Sequence, residues 1–205
     1  MMLSDIELNI LGGFFPRPNQ RLLSVIQRQI SYPSEEVYTT LKKLEQRKII
    51  DIMGIGGTTV FTLHLDTDEA QDGYQFYVKI RQSEYRARYE HIVKQVDDYI
   101  KSVNCDIVLL GGSYAQGIAD QNDPVYILGI VERDVSENRH LTEGKDPITS
   151  EESDKINIEY KEKYIADFKD MKISDAEYFR EIVNFYFPLV GIKFYYEFLY
   201  LHIGV

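Results

Sequence analysis

The residues best suited to chemistry gather in one stretch, LLGGSYAQGIADQNDPVYILGIVE, at 109–132. A compact apolar run, Asp106 to Leu110, ends in Gly111-Gly112-Ser113 and continues as Tyr114-Ala115-Gln116-Gly117. A second apolar run follows from Val125 to Val131. This order predicts a strand, a glycine turn, a short helix and a second strand. Backbone N–H groups at such a turn can hold phosphate oxygens, and glycine lets a ligand approach, so Gly112 and Ser113 are candidate nucleotide-binding residues. Asp120 and Asp123 stand just beyond. The chain has no G-x-x-x-x-G-K-[ST], and Gly112 and Gly117 do not fit G-x-G-x-x-G, so neither a kinase nor a dehydrogenase is supported.

A different chemistry is offered nearer the start. The run Glu35 to Arg47 places Val37, Leu41 and Leu44 on one helical face and Tyr38, Thr39, Lys42, Lys43 and Gln46 on the other. Its acids come first and its bases last, as the helix dipole prefers. The four histidines, at 64, 91, 140 and 202, show no metal-ligand spacing, which argues against a zinc enzyme. The single Cys105 excludes a disulfide framework and a cysteine-based zinc site, and is expected as a buried strand residue in a reducing cytoplasm. No secretory signal is visible, and a cytoplasmic location is expected.

The elements that must position these groups follow from periodicity. Ser4 to Phe15 is a helical run closed by Gly12, Gly13 and Pro16. Asn19 is expected to cap a second, with Leu22, Leu23, Ile26 and Ile30 at three- and four-residue steps. Ile49 to Met53 and Thr59 to Leu65 are β-rich runs joined by Gly54-Ile55-Gly56-Gly57, a hairpin signal. Residues 66–75 suit a linker or a helix start. Beyond them the apolar steps from Phe76 to Val103 predict a long helix over 75–103, which either packs on the second domain or pairs with its copy in a dimer. Lys155 to Lys161 alternates as a strand, whereas 132–154 is polar and aperiodic and reads as a mobile loop or insertion.

At 205 residues and a net charge of −10, the chain is long enough to bury a proper core and too acidic to hold nucleic acid through global charge. Its acidity is uneven. Residues 1–65 carry seven Lys and Arg against six Asp and Glu, so the excess belongs to the remaining 140 residues and two domains are plausible, at 1–66 and 67–205. Phe185 to Val205 is the most apolar stretch, but Pro188, Lys193, Glu197 and His202 interrupt it, so it is expected to fill the second core and not to enter a membrane.

Helix, helix, turn, helix, hairpin is the order of a winged helix-turn-helix, and SYPSEEVYTTLKKLEQRKIIDIMGIGGTTVFTL at 31–63 resembles the recognition helix and wing of that family. The resemblance implies binding to double-stranded DNA. Tyr38, Thr39, Lys42 and Lys43 would enter the groove, Arg47 and Lys48 would lie near phosphates, and the wing tip with Gly56 and Gly57 would follow the backbone.

The glycine-turn segment is similar to the minimal nucleotidyltransferase fold of the DNA polymerase β superfamily, and the similarity extends to SDAEYFREIVNFYFPLVGIKFYYEFLY at 174–200. In that family an Asp-x-Asp pair and a third carboxylate hold two magnesium ions. Here Asp123 takes the first place, Val125 replaces the second aspartate, and Glu159 is the candidate third acid. The expected fold class is therefore α+β: a winged helix-turn-helix, a long helix, and a nucleotidyltransferase-like mixed sheet domain. The expected function is a dimeric DNA-binding transcription regulator whose second domain is catalytically degenerate and senses a nucleotide, with no catalytic residue assigned. The alternative is an active magnesium-dependent nucleotidyltransferase that moves a nucleoside monophosphate with Asp123 and either Glu159 or Asp120.

Overall fold

The computed structural model describes residues 3–16, 18, 21–131 and 156–203. The cap expected at Asn19 and the polar 132–154 segment lie outside the described residues. The chain is α+β with two sheets, and it divides into two compact units, Met1–Ile80 with Tyr196–Val205 and Arg81–Tyr195.

The first unit runs α1 (Asp5–Gly12), β1 (Arg21–Leu22), α2 (Leu23–Gln29), α3 (Ser34–Gln46), β2 (Ile50–Ile55) and β3 (Thr58–Leu63). A capping box starts α1: the Ser4 N–H and hydroxyl both donate to the Glu7 carboxylate, at 2.7 and 2.8 Å. The next long helix, α3, buries Val37, Leu41 and Leu44 as its periodicity requires, and also Thr40, whose hydroxyl donates to the Glu36 carbonyl at 2.9 Å. Ile10, Leu11, Ile26 and Phe61 are fully buried in the same unit, in a core from which water is excluded. Each such side chain contributes about 1.5–3 kcal/mol on burial.

The strands β2 and β3 pair antiparallel from Ile50↔Leu63 to Ile55↔Thr58, so the turn between them is Gly56-Gly57 alone. Both glycines have positive φ, 57° and 82°, which a two-residue hairpin of this hand demands. The sequence reading ended the first of these strands at Met53. It extends further because Gly54 and Ile55 find partners in Thr59 and Thr58. On its other side β3 takes the two-residue β1, giving the order β1-β3-β2.

Helix α4 (Asp68–Arg88) begins in the first unit, and the division of the chain falls within it; α5 (Glu90–Ser102) follows. The single helix expected over 75–103 is thus two helices, broken at Tyr89, whose φ and ψ are −120° and 38°. Neither proline nor glycine marks the break. Tyr89 is instead held by long-range partners: its hydroxyl accepts the Ala119 N–H at 3.0 Å, and its ring packs edge-on against Tyr114 at 4.8 Å.

The second unit continues with β4 (Ile107–Gly111), α6 (Gly112–Gln116), β5 (Val125–Val131), β6 (Ile158–Tyr164), α7 (Ile165–Ser174), α8 (Ala176–Phe185), β7 (Phe187–Val190) and α9 (Ile192–Tyr196). Its sheet has the order β6-β5-β4-β7, with β5 parallel to β6 and β4 antiparallel to both β5 and β7. Val108, Leu110, Val125 and Ile127 join Ile92, Val96 and Tyr99 of α5 in one core. Residues of the opposite parity, Ile107, Leu109, Leu128 and Ile130, are buried as well, so β4 and β5 are covered on both faces and read as unbroken apolar runs.

A π-helical run, Glu197–Ile203, ends the described chain. The aromatic residues expected to fill one core at 185–200 are in fact divided. Tyr196 and Tyr200 belong to the first unit, where their rings lie 5.4 and 5.5 Å from Tyr74. Their hydroxyls donate to the Leu65 and Pro16 carbonyls at 2.6 and 3.0 Å, which satisfies two polar groups inside that aromatic core. Among the described residues no helix is long and apolar enough to cross a membrane.

Candidate functional site

In the first unit, Tyr38, Thr39, Lys42 and Lys43 share the outer face of α3. Tyr38, Thr39 and Lys43 are exposed. The Lys42 ammonium lies 5.9 Å from the Tyr38 ring centroid and 3.0 Å from Glu45, whose hydrogen bond holds the lysine above its ordinary pKa. Lys48 is exposed just past the helix, in a left-handed conformation with φ 57°. At the hairpin tip a Cβ on Gly56 or Gly57 would meet nothing, so that end of the unit is open.

Arg47 is placed differently from the other bases. Its guanidinium reaches Glu7 at 2.6 Å and Glu69 at 3.2 Å with only 24% of the side chain exposed, tying the end of α3 to α1 and to the start of α4. Burial works against a charge on Glu7, but the Ser4 hydrogen bonds and Arg47 outweigh it, and the carboxyl is held below its ordinary pKa.

In the second unit the glycine turn is packed from within. A Cβ at Gly111 would run into the Tyr186 ring and one at Gly112 into the Tyr126 ring. Gly112 also has φ 64°, which side-chain-bearing residues avoid. The two glycines therefore make room for tyrosines. The segment that follows is clamped by α4 and its own chain: Arg81 donates to the Ala115 carbonyl at 2.5 Å, Arg88 to the Gly117 carbonyl, and the Tyr114 hydroxyl to the Asp120 carbonyl at 3.3 Å. Asp123 is part of that turn, its carboxylate accepting the Asp120 N–H at 3.1 Å.

Gly111, Tyr126 and Glu159 lie in one cross-strand row of β4, β5 and β6. Beside that row is a cavity of about 270 Å³ lined by Gly112, Tyr126, Glu159, Lys161, Tyr178, Glu181 and Tyr186, among others. Tyr178 and Tyr186 are both half-buried in its wall. Burial, reinforced by the Glu181 carboxylate, pushes both phenols up, so both stay neutral. The Lys161 ammonium lies 5.8 Å from the Tyr178 ring centroid. Lys161 and Tyr178 also line an adjoining cavity of about 700 Å³ that adds Lys163, Asp167, Asp170 and Asp175.

Of the second-unit residues expected to act together, Gly112 and Glu159 meet at this cavity, whereas Ser113 and Asp123 are not in its lining. Among the described residues no group of three or more His, Cys, Asp and Glu side chains could hold a metal ion. With Val125 buried and Asp123 used in its own turn, these residues do not fit a two-magnesium centre. The sequence reading missed Tyr126, Tyr178, Glu181 and Tyr186. The available signal was the adjacent glycine pair, which in a sheet marks close approach by another group as well as by a ligand. Compared with protein-family models, curated proteins and solved structures, the chain finds no match.

Proposed function

We propose that the chain is a DNA-binding transcription regulator, its first unit a winged helix-turn-helix and its second a nucleotidyltransferase-like module that senses a small molecule and does not turn it over. The observation that carries the first half is the sequel of α3. A helix whose exposed face bears Tyr38, Thr39, Lys42 and Lys43 is followed at once by an antiparallel hairpin with an open Gly56-Gly57 tip, in a sheet ordered β1-β3-β2. A helix of that surface suits the major groove, and a glycine-tipped hairpin suits the phosphate backbone beside it. The protein acts as a homodimer in this reading, with two such helices about one helical turn of DNA apart.

Supporting the second half is the crowding of the glycine turn. Tyrosine rings stand where a Cβ at Gly111 or Gly112 would go, and the Asp123 carboxylate accepts the Asp120 N–H within its own turn. The experiment is duplex binding followed by fluorescence anisotropy. The full chain is expected to bind random-sequence DNA in a salt-sensitive way, and the double variant Lys42→Ala, Lys43→Ala to bind about tenfold more weakly. Absence of salt-sensitive binding by the parent defeats the regulator reading. The enzyme alternative draws on one observation, that Gly112 and Glu159 share a cavity. Transfer of label from an NTP with Mg²⁺, abolished by Asp123→Ala, would establish it instead.

A further inference from the structure

We infer that the tyrosine-lined cavity of the second unit binds an organic ammonium ion, a small amine or quaternary ammonium with an apolar body. This rests on the sensor reading of that unit and names the ligand class. Tyr126, Tyr178 and Tyr186 present three aromatic rings to one cavity, and Glu159 and Glu181 place two carboxylates at its wall. Ring faces carry negative quadrupole charge and attract a cation held within about 6 Å of the centroid. The chain already displays this mode: its own Lys161 ammonium stands 5.8 Å from the Tyr178 centroid. A ligand ammonium would take the same kind of seat on the neighbouring rings.

The charge around the cavity separates this ligand from the two obvious competitors. With the adjoining cavity included, five carboxylates face two lysines, a setting that repels a nucleotide triphosphate. The acids are also too dispersed to form a metal-holding group of three among the described residues, and Mg²⁺ demands closely placed oxygens at about 2.0–2.1 Å. An ammonium needs no such convergence, because ring faces and carboxylates act on it over longer distances. The volume, about 270 Å³, lies just under the range of about 300–1,000 Å³ typical of drug-sized ligands, so the guest is small.

Titration calorimetry of the full chain with phenyltrimethylammonium chloride tests the inference, with benzyl alcohol as the uncharged comparison and ATP with and without MgCl₂ as the nucleotide arm. The parent is expected to prefer the ammonium salt over the alcohol. Glu181→Gln, which keeps the shape of the side chain, and Tyr126→Leu, which keeps an apolar body over Gly112, are each expected to weaken its binding by about tenfold. ATP is expected neither to bind there nor to compete. A parent that holds the ammonium no better than the alcohol overturns the inference, as do variants that bind it like the parent or ATP occupying the cavity. Duplex binding measured on the same preparations keeps the two claims apart. Ammonium binding without DNA binding overturns the regulator reading alone, and DNA binding without ammonium binding overturns this inference alone.

Discussion

Arg47 and Lys43 are four residues apart on the same stretch of chain and answer to different forces. Arg47 bridges Glu7 and Glu69 and is largely covered, whereas Lys43 is exposed. Arg47→Ala is therefore expected to lower the stability of the first unit by about 1–3 kcal/mol, because two carboxylates lose their charge-assisted partner. Lys43→Ala is expected to change stability by no more than about 0.5 kcal/mol while weakening duplex binding. Thermal melting beside anisotropy separates the two effects, and an Arg47→Ala protein as stable as the parent would remove the bridging role. Glu7 adds a pH dependence of known sign. Its folded-state pKa lies below the ordinary 4.5, so the unfolded chain takes up the proton first. Its contribution is complete above that value and is lost as the pH falls through the lower folded value. Glu7→Gln should flatten this acid limb in melts recorded from neutral pH downward.

At the scale of elements, the β4–α6 turn depends on having no side chains at two adjacent positions. Gly112→Ala would force a Cβ into the Tyr126 ring at a φ of 64°, at an expected cost of about 1–3 kcal/mol, read as a lowered denaturation midpoint of the second unit. An unchanged midpoint would mean that the ring moves freely. The same turn shows what was legible in advance. Strand, glycine turn and strand follow from the apolar runs at Asp106 to Leu110 and Val125 to Val131, and α3 follows from Val37, Leu41 and Leu44, because each is encoded locally by periodicity. The break at Tyr89 is not local: it is fixed by Ala119 and Tyr114, and no breaker residue announces it. Two-residue β1 is too short to carry a period, and β7 contains Pro188, which reads against a strand until it is seen at the sheet edge. The cavity escaped for a related reason. Tyr126, Tyr178 and Tyr186 come from β5, α8 and the residue after α8, and only the sheet register and the packing of α8 bring them to one place.

For the molecule as a whole, charge is the constraint on the proposed function. A chain of net charge −10 is repelled by duplex DNA at long range, so binding has to come from the local stripe on α3 and the groups beside it. Such binding is displaced by salt in proportion to the phosphates contacted. The most direct measurement is the slope of log K against log salt for a duplex, taken on the full chain and on the Lys42→Ala, Lys43→Ala double variant. The account predicts measurable binding by the parent and a shallower slope in the double variant, because two cations of the face that meets the duplex are removed. Equal slopes, or no duplex binding by the parent at low salt, would contradict it.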